Sequence, residues 1–314
     1  MAATKLHIAR SGVLDRESYP DFHDKQIVLF TKQEAKEPVL GGQFFNELNT
    51  PTMDFKITGV GSVLGMPQVS SDTDPLPFDQ PGTGYSKSGT CATLRNAVRI
   101  TRTLMKEDLS GGKASAMLKG LPVTHRRWFE YSYAAIFNAI ASTEGADGSY
   151  LVDDDHYHII PEAGVWSNKE SSAALSTTSL NAMAVNMLDR KNERGFTMDM
   201  DLEKIIAPTA LNMKAQQLHL TPTVPESSTE AVNVYKGITP VIWKNLTSAT
   251  RWFGWGSLPE EMWGTHSVSF TKPIVKRLGY PSSEYPDIVS AYYLYMQCAV
   301  VASIMYNCHS NAGT

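Results

Sequence analysis

The stretch that most restricts how this chain can fold runs from Gly65 to Gly89, GMPQVSSDTDPLPFDQPGTGYSKSG. It carries four glycines and four prolines in 25 residues and almost nothing from which to build a core. Structureless loops of this length are uncommon inside compact domains, and those that occur are usually functional or disordered. Apolar or alternating segments flank it, FKITGVGSVLG before and TCATLRNAVRI after. The arrangement describes a long two-stranded excursion with a proline-rich tip. A two-stranded ribbon alone buries too little to be stable, so it needs another surface to lie on.

The whole chain is long enough for one large domain or two moderate ones, at 314 residues. Its 42% hydrophobic and 19% charged residues are a globular profile. Lys+Arg 28 against Asp+Glu 32 leaves a net charge of −4, which disfavours a protein that reads DNA by neutralising phosphates. Cys91, Cys298 and Cys308 form no CxxC pair, so neither a disulfide framework nor a zinc ribbon is expected, and reduced cytoplasmic folding fits. The start, MAATKLHIARSGVLDRES, holds no apolar run of signal-peptide length.

From Ile288 to Cys308 no charged side chain occurs for 21 residues, long enough to cross a bilayer as a helix. The composition argues for a strand instead, because β-branched and aromatic residues dominate it. At period two, Tyr292, Leu294, Met296 and Cys298 share one face, and Tyr293, Tyr295 and Gln297 the other. A long strand in a packed sheet, with an interruption, is the expectation.

The first fifty residues read as an extended arm with brief elements. Thr101 is a plausible N-cap for a short helix through Asp108, and the Gly111-Gly112 pair reads as a break. Pro122 suits the first turn of a helix that carries Phe129, Tyr133, Ile136, Phe137 and Ile140 at helical spacing. Leu180, Met183, Met187 and Leu188 mark a second helix after Ser/Thr caps. Leu211, Ala215 and Leu218 mark a third. Residues 202–208, 239–243, 251–256 and 266–275 read as strands.

The sharpest cluster of chemically capable residues is Asp153-Asp154-Asp155-His156-Tyr157-His158. Carboxylate and imidazole are ligands for Mg, Mn, Fe or Zn. Ligands on regular structure converge at spacings such as i, i+4, however, and these are consecutive residues after a turn, which reads as a solvated acidic loop. GVGSVLG (59–65) superficially resembles a phosphate-cradling loop, but its spacing is wrong and Pro67 blocks the helix that would follow. His125-Arg126-Arg127 reads as an exposed first turn. Trp243, Trp252, Trp255 and Trp263 lack basic neighbours beyond Lys244 and Arg251, so packing explains them better than a stacking platform. No catalytic, cofactor-binding or metal-binding constellation emerges.

The order of segments resembles the major capsid proteins of tailed bacteriophages with the Hong Kong 97-type fold, in particular their Mu-like branch. RNAVRITRTLMKEDLSGG (95–112) is similar to the passage that joins the extended loop to the following helices. LPVTHRRWFEYSYAAIFNAI (121–140) stands where the family has its spine helix. SYLVDDDHYHIIPEAGVWSNKESSAALSTTSLNAM (149–183) resembles a histidine- and aspartate-containing loop before a capped helix. LEKIIAPTALNMKAQQL (202–218) and NVYKGITPVIWKNL with RWFGWGSLPE (233–260) resemble elements of the axial domain, and 287–306 the final strands of the peripheral domain.

The resemblance implies an α+β fold with an N-terminal arm (1–54), an extended β-hairpin loop (55–100) and a peripheral domain (101–177 and 265–314) with a spine helix over about 122–142. An axial domain would span 178–264. It implies a head protein, not an enzyme, whose copies form hexamers and pentamers of an icosahedral shell around double-stranded DNA held non-specifically. Arm and loop would lie on neighbouring subunits, with Leu76, Phe78 and Tyr85 at the loop tip as candidate contacts between subunits. The implied partners are a separate scaffolding protein, a portal and decoration or cement proteins, without cofactor or membrane. The place is the virion capsid, and the host cytoplasm during assembly. Some relatives crosslink through a Lys and an Asn; Lys87 lies near the tip, but no partner or catalytic acid matches, so crosslinking is not carried over. The alternatives are an encapsulin-type nanocompartment shell and a metal-dependent hydrolase using Asp153, Asp155, His156 and His158.

Overall fold

The computed structural model describes residues 39–60, 83–101, 103, 112–158, 164–170, 173–191, 197–198, 200–224, 231–257, 264–278 and 288–311. Strands β1 (Asn46–Asn49), β2 (Asp54–Val60), β3 (Thr83–Thr90) and β4 (Ala92–Thr101) precede helix α1 (Gly112–Asn138). Short strands β5 (His156–Tyr157), β6 (Val165–Trp166) and β7 (Lys169–Glu170) follow, then α2 (Thr177–Leu188), β8 (Leu202–Ala207) and α3 (Asn212–Leu220). Strands β9 (Thr239–Ile242), β10 (Phe253–Gly256), β11 (Thr265–Leu278), β12 (Ile288–Ala302) and β13 (Cys308–Asn311) complete the order. Among the described residues no helix is long and apolar enough to cross a membrane.

The chain divides into two compact units. The first takes in Ala92–Phe129 and Phe270–Cys298. Here β4 runs antiparallel to β12, with Arg95 opposite Tyr295 and Val98 opposite Tyr292. The period-two reading of the uncharged segment holds. Tyr292 and Leu294 join Ile100 of β4 and Leu121 of α1 in a core cluster, with Val98 and Val275 packed against it. The alternate residues Tyr293 and Tyr295 stay half-buried on the other face, where the Arg95 guanidinium lies 5.5 Å from the centre of the Tyr295 ring.

The second unit takes in Leu40–Cys91, Glu130–Ser269 and Ala299–Thr314. Its five-stranded sheet has the order β7-β13-β10-β8-β9, with β10 antiparallel to both neighbours. Helix α2 starts where Ser176 and Ser179 form a reciprocal capping box, which satisfies donors the first helical turn leaves without partners. The spacing of Leu180, Met183 and Met187 then puts all three in the core, with Ile205, Ala215, Leu218 and Trp252. Leu188, expected on the same face, is exposed instead.

A second packing centre forms around Phe137 of α1. Its ring meets Trp243 at 5.2 Å and Phe253 at 5.3 Å, both edge-on, the geometry aromatic quadrupoles favour. Trp243, Trp252 and Trp255 are buried, so packing accounts for them; Trp263 lies outside the described residues. Phe44 and Phe45 also enter this centre, with Phe45 stacked on Tyr133 at 4.3 Å. That departs from an arm that buries little within its own chain. Two adjacent aromatics are apolar enough to be drawn into the fold, and β1 then pairs in parallel with residues 266–269 of β11.

Helix α1 also departs from expectation. It runs without a break from Gly112 through Pro122 to Asn138, rather than from Pro122 to about 142. One interior proline removes a single backbone hydrogen bond, and the burial of Leu121, Tyr133 and Phe137 outweighs that loss. Thr101, read as an N-cap, is the last residue of β4, and 104–111 lie outside the described residues. All three cysteines are buried and free.

Gly41 shows how tightly the aromatic centre closes. A Cβ there would come within 2.7 Å of Tyr133 and 2.9 Å of Trp243. Gly41→Ala should therefore cost about 1–3 kcal/mol through overpacking, read from the midpoint of urea unfolding.

Candidate functional site

Two features stand out from the fold as candidate sites, the acidic loop and the hairpin root that rests on it. The loop begins after α1, where Glu144 and Tyr150 form an isolated bridge. Gly145 N donates to Ser149 O at 2.7 Å, and Ala146 N to Ser303 O at 2.9 Å. These bonds turn the chain so that Asp147 points inward. Its carboxylate Oδ2 lies 2.7 Å from Nδ1 of His156, with both side chains almost wholly removed from solvent.

The other side of the His156 ring meets Asn168. Nε2 lies 3.0 Å from Asn168 Oδ1, which also accepts from Asp153 N at 2.9 Å. Asn168 Nδ2 donates to Leu151 O at 2.7 Å and Met305 O at 3.3 Å. Two carbonyls on one end and a backbone N–H on the other fix the amide orientation, so His156 Nε2 is a donor. The imidazole stacks on Trp166 at 4.2 Å, and Trp166 stacks on Tyr306 at 4.6 Å.

Arg190 closes this stack. Its guanidinium sits 4.7 Å from the Trp166 ring centre and donates to Tyr306 O, to Ser167 O at 3.0 Å and to Asn186 Oδ1 at 2.8 Å. Burial lowers its pKa to about 10, so it keeps its charge. It also donates to His309 Nδ1 at 3.2 Å. Since arginine cannot accept, His309 is the Nε2–H tautomer, with that nitrogen 3.5 Å from Glu170 Oε2. Burial, and secondly the nearby Arg190, push the His309 pKa down to about 3.

The residues of the hydrolase alternative therefore part company. His156 spends both nitrogens on Asp147 and Asn168. Asp153 accepts from the backbone of Asp154 and Tyr150, and Asp155 is exposed. His158 is buried, which lowers its pKa. Among the described residues no group of three or more His, Cys, Asp or Glu side chains is placed to hold a metal ion. The loop is not simply solvated either, since its histidines are internal. Asp147 and Asn168 carried no signal in the sequence, because one stood in a turn-rich run and the other between strands.

The hairpin lies on this loop. Pairing places Phe55 opposite Gly89 and Ile57 opposite Lys87, so Phe55, Ile57, Tyr85 and Lys87 share a face. A Cβ on Gly89 would sit 2.7 Å from the Phe55 ring, so glycine gives that ring its room. Phe55 is buried with Cys91 and Val268, and Ile57 and Tyr85 pack against the core of the second unit. Tyr85 OH donates to Tyr157 O at 3.3 Å, and Lys87 Nζ to Glu144 O at 2.9 Å and Gly145 O at 3.3 Å. The root of the excursion thus finds its surface within its own chain. Leu76 and Phe78 lie outside the described residues.

No family model matches the chain, and no curated protein matches it. Solved structures do. The subunit of a virus-like particle from Pyrococcus furiosus aligns over 93% of this chain and 99% of its own, at a TM-score of 0.52 and 10% identity. The chain has the Hong Kong 97-type capsid fold. The holo-SrpI encapsulin from Synechococcus elongatus PCC 7942 matches 99% of this chain and 91% of its own, at a TM-score of 0.50 and 8% identity. This chain spans 65% of the bacteriophage JBD30 capsid chain, with 88% of its own length covered, a TM-score of 0.47 and 11% identity. The capsid fold is the α+β architecture that the ordered segments implied.

Two measurements test the site. Asn168→Leu leaves several buried polar groups without partners and should cost about 2–4 kcal/mol in urea unfolding. His309 stays neutral in the folded chain down to about pH 3, whereas the unfolded chain protonates it near pH 6.5. The unfolded state then holds more protons between these values, so stability is lost as the pH is lowered from about 6.5 toward 3, by up to about 1.4 kcal/mol per unit. His309→Asn, which preserves an acceptor for Arg190, should flatten the wild-type slope between pH 6 and pH 4.

Proposed function

We propose that this protein is the major head subunit of a tailed bacteriophage, assembling into hexamers and pentamers of an icosahedral shell around double-stranded DNA. The observation that carries the reading is the capsid fold over nearly the whole chain, joined to a Gly- and Pro-rich stretch whose composition offers almost nothing from which to build a core. The ordered segments from 95 to 306 support the phage assignment and, within it, the Mu-like branch. Leu76 and Phe78 are then candidate contacts with a neighbour, while Tyr85 serves the root. A scaffolding protein, a portal and decoration or cement proteins are the expected partners. The virion capsid is the expected place, reached through the host cytoplasm. A net charge of −4 suits a container that holds its DNA loosely, since each neutralised phosphate would add affinity.

An encapsulin-type shell is the second reading, favoured by the likeness to SrpI encapsulin over 99% of this chain. Electron microscopy of the expressed protein, alone and with its scaffold, tests both. Closed shells or capsomers are expected. A protein that stays monomeric at high concentration under both conditions overturns the shell reading. Particles purified from the native source separate the two, with nuclease-protected double-stranded DNA expected for a head and a packaged cargo protein for a compartment.

A further inference from the structure

We propose that Tyr85 and Lys87 form a releasable latch that holds the hairpin at a set angle on the 144–157 loop of its own subunit. Its use in assembly rests on the shell reading above; the latch itself does not. The two residues are two positions apart on β3 and so project from the same face. Both reach backbone carbonyls of a single loop: Lys87 Nζ those of Glu144 and Gly145, and the Tyr85 hydroxyl that of Tyr157. That loop is rigid without them. The Asp147–His156–Asn168 bonds and the Ala146 N to Ser303 O bond fix it from inside.

The latch differs from the base of the ribbon in what it costs to open. At the base, Cys91 N donates to Met53 O at 2.8 Å, and Phe55 and Cys91 are buried with Val268. At the latch, the Lys87 ammonium has neutral carbonyls as partners and, among the described residues, no carboxylate within 4 Å. Its bond to Glu144 O is exposed, so water can replace the carbonyl when the bond opens. The hairpin therefore leaves the loop by exchanging a few hydrogen bonds and giving up the partial burial of Ile57 and Tyr85, while its base remains packed. In a shell, a hairpin already held at its angle meets a neighbour with less ordering still to be done, and preorganisation of that kind favours association.

Hydrogen exchange on the full-length chain tests this, at a concentration where light scattering detects no particles. In the Tyr85→Phe, Lys87→Met double variant, peptides from β2 and β3 should exchange about tenfold faster than in wild type, while β8 and β10 keep their rates. A rise of less than about threefold in the hairpin overturns the latch, as does an equal rise in β8 and β10, which would mean general loosening. Should the double variant not fold, Lys87→Gln alone is read by the same criterion. Wild type that forms no particles by microscopy counts against the shell reading and leaves the exchange result standing. Normal wild-type particles with unchanged exchange in the variant overturn the latch alone.

Discussion

The side-chain amide of Asn168 is the contact on which the second unit's loops depend. It holds four groups at once, Leu151 O, Asp153 N and His156 Nε2 from one stretch of chain and Met305 O from another far along the sequence. Each of these groups is buried or half-buried, and a buried backbone group without a partner costs about 1–3 kcal/mol. The loop after α1, the strand pair β5–β6 and the turn before β13 are therefore coupled through one residue. The hairpin inherits that rigidity, because its polar contacts end on the same loop.

Arg190 does comparable work nearby, and among the described residues no carboxylate is bonded to it. Its charge is met by two carbonyls, an amide oxygen, an imidazole nitrogen and the face of Trp166. A planar donor with five N–H groups can fill such a set of acceptors where lysine could not. Burial first, and then the guanidinium that faces it, keep His309 neutral.

Much of the fold was legible in the sequence wherever one physical signal dominated. Alternation fixed the faces of β12, and helical spacing with a serine cap placed Leu180, Met183 and Met187 inside. The hairpin was legible as a ribbon, but its second strand was misplaced: β3 lies almost entirely within the glycine-rich stretch, and the flank expected to form that strand, TCATLRNAVRI, supplies β4, which pairs with β12. Where the ribbon rests was not legible either, since contact between β3 and residues 144–157 depends on tertiary placement. Phe44 and Phe45 were missed because a short apolar pair among polar neighbours has no period to reveal it. The continuous α1 was missed because Gly112 and Pro122 are local signals against a helix, and tertiary burial overrode both. The acidic run drew attention as a cluster, yet its organising partners Asp147 and Asn168 are ordinary loop residues in sequence.

The burial of all three cysteines has a consequence for how the protein meets oxidants. The thiolate is the reactive form, and burial raises the Cys308 pKa to about 12, so its thiolate is scarce at neutral pH. Cys91 and Cys298 are closed to solvent as well. The folded subunit therefore offers no exposed thiol for disulfide exchange, and a change from reducing to oxidising conditions leaves its covalent structure unchanged. A single cysteine introduced on the polar face of the hairpin, at Ser86 or Ser88, would then be the one site open to a thiol-directed label.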